Sequence, residues 1–177
     1  MGKFIKHFIT ITRHRHLVAK YCFKCGLYKQ GLLHDLSKYS YVEFSNGVRY
    51  YAGNHSPITN ERSDKGYSDA WMHHKGRNKH HSEYWIDLNK ATGAYEPIEM
   101  PDRYVGEMFC DRLAASKNYN RGNYNPNMPL EYLYRTKGTT PMHPNTFSKL
   151  ESLLKMYVEK GEKETFNYIK KNMRKKK

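Results

Sequence analysis

The chain has 177 residues, with 31 Lys and Arg against 17 Asp and Glu, for a formal net charge of +14. A domain of this length buries ~70% of the surface its unfolded chain exposes and needs neither a disulfide nor a structural metal to fold. Aromatic residues at 14%, 16 of them tyrosines, exclude extended disorder. No apolar run reaches the ~18–20 residues of a membrane-spanning helix. The start, MGKFIKHFIT, has no secretory h-region or cleavage site, and Lys6 spoils a myristoylation pattern at Gly2. Three cysteines make no disulfide framework, so a reduced, cytoplasmic compartment is expected. Six cationic residues cluster between Lys170 and Lys177, yet the body stays positive without them. That field favours anionic partners: nucleic acid, nucleotides or phosphorylated small molecules.

Taken in order, the predicted elements are nearly all helical. Phe8, Ile11, Val18, Cys22 and Cys25 recur at helical spacing from Ile5 to about Cys25, and Gly26 supplies a stop. A short helix is expected over residues 31–36. Ser40 and Glu43 form a capping box that opens a helix through Phe44, Val48 and Tyr51. Residues 53–66 read as a loop. Ser68 and Asp69 cap a helix running into Trp71, His73 and His74, which Gly76 and Asn78 interrupt. Pro101 fits the first position of a helix to about Lys117, residues 118–144 read as loop, and a helix with Leu150, Leu153, Leu154, Tyr157 and Val158 ends at Gly161. A last helix carries Phe166, Ile169 and Met173. No convincing strand alternation is present, so the expectation is an all-α, single-domain helical bundle over residues 1–170, followed by a basic tail at 171–177.

Histidine placement carries the chemistry. Seven of the ten histidines fall in three groups: His14 and His16, His34, and His73, His74, His80 and His81. Neutral imidazole and carboxylate suit iron, manganese and zinc. His14 shares the apolar face of the first helix with Ile11 and Val18, whereas His16 faces water. His34 and Asp35 follow Leu32 and Leu33, so imidazole and carboxylate stand side by side at the end of an apolar segment. Neighbouring side chains on a helix diverge by roughly 100°, so both reach one ion only at a helix end or a local distortion. Lys38 is one turn beyond His34. Asp111 lies on the apolar face with Tyr104, Met108 and Ala115, and an unpaired buried carboxylate wants a cation: Arg112, Arg103 or Lys117 of the same helix, a salt bridge from elsewhere, or a metal. On one continuous helix His74 and His81 would share a face; a loop at Gly76 would let all four late histidines approach one centre, and a solvated basic turn is the plain alternative. Glu83 reads as a ligand, a base or a helix cap. Cys22 and Cys25 read as core packing, since free cysteine behaves as a small buried hydrophobe.

The segments H-x-x-x-V at His14 to Val18, LLHDLSK at Leu32 to Lys38 and CDRLAA at Cys110 to Ala115 resemble the H…HD…D signature of HD-domain metal-dependent phosphohydrolases. The resemblance implies an all-α bundle holding one or two divalent ions (iron, manganese or zinc) and hydrolysis of phosphate esters. It implies His14, His34, Asp35 and Asp111 as ligands of a first ion. Members with two ions add histidines between the HD pair and the last Asp, where His73, His74, His80 and His81 fall. The whole chain over most of residues 1–170 also resembles an uncharacterised bacterial and phage family, through GLLHDLSKYS, HHKGRNKHHSEYW and MPDRYVGEMFCDRLAASK, which implies no activity.

These readings converge on a metal-dependent phosphohydrolase acting on a nucleotide or other phosphate ester. His74 and His81 are the expected further ligands, Lys38, His73 and His80 the expected catalytic groups, and Arg77 and Lys79 the expected substrate contacts. The competing class is a non-catalytic, basic nucleic-acid-binding protein. A His-metal nuclease of the ββα type ranks lower, because it needs a hairpin before its histidine and Ser68 to Met72 reads as a helix start.

Overall fold

A computed structural model describes residues 2–120 and 122–174. Along the chain run α1 (Lys3–Lys24), α2 (Tyr28–Leu33), a 3₁₀ turn (Leu36–Tyr39), α3 (Tyr41–Arg49), α4 (Pro57–Lys65) and α5 (Asp69–Lys75). A second 3₁₀ turn (Ser82–Tyr84), β1 (Ile86–Asn89), β2 (Ala94–Pro97), α6 (Asp102–Tyr119), α7 (Met128–Arg135) and α8 (Pro144–Asn172) follow. The fold is therefore mostly helical, and no helix among the described residues is long and apolar enough to cross a membrane.

The apolar spacing of the sequence becomes one core. From α1 come Val18, Tyr21 and Cys22; from α6, Val105, Met108, Phe109, Cys110, Leu113 and Ala114; from α8, Leu150, Leu153, Leu154, Phe166 and Ile169. The three cysteines are free and buried there, with the Cys25 and Cys110 sulfurs 3.8 Å apart, as core packing predicts. Phe8 departs from its expected stripe and stays 45% exposed. Gly161 sits at φ 76° and breaks α8 where the sequence placed a helix end. The second segment runs to Asn172, and Met173 is buried in the core, so the packed domain reaches past residue 170. Residues 175–177 of the expected basic tail lie outside the described residues.

Three elements differ from expectation. α4 and α7 fall in segments read as loops, because Pro57 and Pro129 stand in their first turns, where a missing N–H costs nothing. β1 and β2 pair antiparallel, Ile86 opposite Pro97 and Asn89 opposite Ala94, around a turn ending in Gly93. The helical expectation holds in outline, with this small two-stranded hairpin added to it. The hairpin follows the histidine pairs in the chain instead of preceding them, so the ββα order is not present among the described residues. α3 packs against α5, α4 and the first half of α1. This layer, the second half of α1 and α6 enclose the polar centre.

Candidate metal centre

Local backbone explains how adjacent residues reach one point. α2 ends at Leu33, His34 is extended (φ −51°, ψ 125°), and Asp35 adopts the left-handed conformation at φ 52°, alone among described non-glycine residues in having positive φ. That conformation is costly for a residue with a Cβ, and it provides the distortion that aims both side chains inward. His14 is delivered by the buried face of α1, Asp111 and Glu107 by α6, His74 by α5, and His80 and His81 by the segment after it.

Two ligand groups result, and they share Asp35. In the first, one donor atom each from His14, His34, Asp35 and Asp111 lies within 4.8 Å of every other. His14 Nε2 is 3.0 Å from Asp111 Oδ1, and His34 Nε2 is 3.3 Å from Asp35 Oδ2 and 3.6 Å from Asp111 Oδ1. In the second, Asp35, His74, His80 and His81 meet the same condition. Asp35 Oδ1 is 3.3 Å from His74 Nε2 and 3.5 Å from His80 Nε2, and His74 Nε2 is 2.9 Å from His81 Nε2. The Nε2 atoms of His14, His34 and His80 and Asp35 Oδ1 are buried without a hydrogen bond of good geometry, while Asp35 Oδ2 meets the Lys38 ammonium. Buried polar atoms left unpaired are expensive. Here the unpaired atoms are ligand-type donors facing one another, so the residues fit divalent cations.

A surrounding layer of carboxylates fixes the imidazoles. Glu107 Oε1 accepts from His34 Nδ1 at 3.0 Å and lies 3.2 Å from His80 Nδ1. Glu43 accepts from His74 Nδ1 at 2.7 Å and from His73 Nδ1 at 2.6 Å. A proton held on Nδ1 leaves Nε2 with its lone pair, the tautomer that binds a metal. The close set of His34, His80 and Glu107 is accordingly a supporting bridge, since Glu107 meets the Nδ1 side of both rings. Charge follows the same pattern. Burial pushes the Asp35 and Asp111 carboxyls up, but the facing imidazoles, led by His34 for Asp35 and by His14 for Asp111, hold both well below the usual carboxylate range. Burial pulls His34 and His74 down, yet Asp35 holds both above the usual imidazole range. His81 falls well below it through burial beside His80 and His74. The centre demands positive charge at its middle, from protons or from metal.

His14, Asp35, Lys38, His74, His81 and Asp111 line a chamber of about 150 Å³ together with Trp71 and Tyr119. A larger open cavity of about 530 Å³ shares Trp71, His81, Asp111 and Tyr119 as a wall. Lys38 Nζ stands 2.6 Å from Asp35 Oδ2. His16 is exposed, as its helix face requires. His80, expected as a catalytic group, stands in the second group of donors that could hold an ion. His73, also expected as catalytic, is turned to Glu43 and belongs to neither ligand group. Arg77 and Lys79, expected as substrate contacts, lie apart from the ligand groups: Arg77 is exposed and donates to the His73 carbonyl, Lys79 lies over the Tyr84 ring, and neither lines either cavity. The chain turns at the end of α5, which buries Asn78 and His80 and leaves Arg77 and Lys79 exposed. Sequence reading missed Glu43, Glu107 and the cavity arginines Arg62, Arg112 and Arg135. Glu107 was detectable, since it precedes Asp111 by four residues and shares its helix face.

A family model described as a family of unknown function, DUF5662, matches residues 3–156, and the chain belongs to that family. No curated protein and no solved structure matches it.

Proposed function

We propose that this DUF5662 member is a metal-dependent phosphohydrolase of HD-domain kind, with two adjacent ion sites that share Asp35. The observation that carries the reading is the clustering of buried His and Asp donors into two groups that share Asp35, with His14, Asp35, His74, His81 and Asp111 lining one chamber. A basic nucleic-acid-binding surface would need no such convergence. His14, His34, Asp35 and Asp111 would hold one ion and Asp35, His74, His80 and His81 the other. Divalent ions there would polarise a phosphoryl oxygen and make a water acidic enough to attack near neutral pH.

The chain's own residues do the rest. Asp111 and His81 border the larger cavity, so a phosphoryl group enters past them. Lys38 places a cation beside the shared carboxylate, where its ammonium offsets phosphate charge. Trp71 and Tyr119 line both cavities, where their rings would limit bulk water. In the reaction the water oxygen bonds to phosphorus, the ester P–O bond breaks, and the leaving oxygen takes up a proton.

Protein purified without chelator should contain two equivalents of iron, manganese or zinc by elemental analysis. Asp35→Ala should lose both, His81→Ala about one, and His16→Ala none. The wild type loaded with manganese or iron should hydrolyse at least one ester in a screen of phosphomono- and diesters, and Asp35→Ala should lose more than ~100-fold of that rate. Equal metal content in all variants, or a metal-loaded protein inert towards every ester, would overturn the reading.

A further inference from the structure

We propose that the larger cavity is a second anion subsite, in which Arg112, Arg135 and Arg62 hold a phosphate carried by the leaving portion of the substrate. The substrate class is then a phosphate ester with two separate phosphate groups. This deepens the hydrolase reading and rests on it for the position of the scissile group.

Charge pairing supplies the first argument. All three arginines line the cavity whose wall includes Asp111 and His81. Among the described residues no arginine has a carboxylate within 4.0 Å, and what sets these three apart is that they line one cavity. Glu83 and Asp111 are the carboxylates on the cavity lining, and Asp111 is already engaged by His14 and His34. Three unmatched cations therefore face one space.

The geometry holds them there. The Arg112 guanidinium carbon lies 5.2 Å from the Tyr132 ring centroid and that of Arg135 5.4 Å from the same ring, while Arg62 lies 5.3 Å from Trp71. Both rings are cavity walls. These cation–π contacts hold the guanidinium groups at the cavity wall and use none of their N–H donors. Arg112 Nη1 is shielded from solvent and has no hydrogen-bond acceptor. A phosphate satisfies such a group with two parallel, charge-assisted hydrogen bonds. Size points the same way. The chamber of about 150 Å³ beside the ligands suits one phosphoryl group, and the adjoining 530 Å³ is more than a small neutral alcohol needs. A substrate with a neutral leaving group would leave the buried Arg112 Nη1 without an acceptor.

The test uses the full-length, metal-loaded protein and a matched pair of probes, fructose 1,6-bisphosphate and fructose 6-phosphate, titrated calorimetrically. The wild type should bind the bisphosphate at least 10-fold more tightly. Arg112→Gln and Arg135→Gln should each shrink that ratio at least 3-fold and the double variant should bring it near one, while Arg13→Gln, on the exposed side of α1, should leave it unchanged. Arg135 is exposed at the end of α7, so its variant remains informative if Arg112→Gln unfolds, which a thermal melt reports. Equal affinity of the wild type for both probes overturns the subsite, as does a ratio that survives Arg135→Gln and the folded double variant. Turnover of p-nitrophenyl phosphate is measured separately. Turnover with a ratio of one removes the subsite alone, and the expected ratio without turnover of any ester removes the hydrolase alone.

Discussion

Glu107 is the side chain that ties the two ligand groups together, because one of its oxygens serves the Nδ1 atoms of both His34 and His80. Burial raises its carboxyl, but His80 and His34 outweigh that and hold it below the usual range, so it accepts from both rings as an anion. Glu107→Gln keeps the volume and removes this double acceptance. The amide can face one ring with its oxygen, but its NH₂ then opposes the other Nδ1–H, and that ring loses the tautomer that frees Nε2. Metal affinity should fall about 10–100-fold, the usual cost of losing such outer support, as read by competition with a chromophoric chelator. An unchanged affinity would show that the rings are held by packing alone. His34, Asp35 and Asp111 were legible in the sequence because polar residues on an apolar face, or at its end, stand out against the periodicity. Glu43 was hidden by a true but partial reading. Ser40 does cap α3 through the Glu43 N–H at 3.4 Å, yet the Glu43 side chain turns to His73 and His74 instead of back to the cap. The division of labour among His73, His74, His80 and His81 was not legible, since it is set by an irregular turn after α5 that has no period to read.

At the scale of elements, helices with a buried stripe were readable and short elements opened by proline or held by tertiary contact were not. α1, α6 and both halves of α8 follow from spacing, caps and Gly161. α4 and α7 begin with prolines that read equally well as loop punctuation, and each β-strand is only four residues long. The contact between α1 and α3 is another feature that spacing does not reveal. Gly47 in α3 is buried against the His7 imidazole of α1, and a methyl group at Gly47 would overlap that ring. Replacing a helical glycine by alanine ordinarily gains up to ~1 kcal/mol. Gly47→Ala should instead lose ~1–3 kcal/mol through overpacking, lowering Tm in a thermal melt. Gly76→Ala is the control, since its nearest neighbour atom would be at an ordinary 3.5 Å, and it should stay within ~0.5 kcal/mol of wild type. A more stable Gly47→Ala protein would mean that the two helices do not approach this closely.

Over the whole molecule, the polar centre lies where two packed regions meet: the apolar core of α1, α6 and α8 on one side, and the layer of α3, α4 and α5 on the other. Stability of that junction should depend on acid through His7, which is buried on α1 between the Phe44 and Tyr51 rings and touches neither ligand group. Burial, with Lys38 nearby, lowers its pKa from 6.5 to about 4. The unfolded chain therefore takes up a proton that the folded one refuses between those values. The contribution to stability is fully present above pH ~6.5 and is lost as pH falls towards about 4. Its size is on the order of 1–2 kcal/mol, less than the full shift would give, because the repulsion from Lys38 is partly screened by solvent. His34 and His74, whose pKa values are raised, act in the opposite direction over the pH range above 6.5, so the clean observable is a difference between proteins. Melting curves of the wild type and of His7→Gln, which does not titrate, should converge as pH drops from 6.5 to 4.5. The wild type should lose several degrees more than the variant, at roughly 2–4 °C per kcal/mol for a domain of this size. Parallel curves across that interval would mean that the His7 imidazole meets solvent freely, and that the layer over α1 is looser than its packing against Gly47 requires.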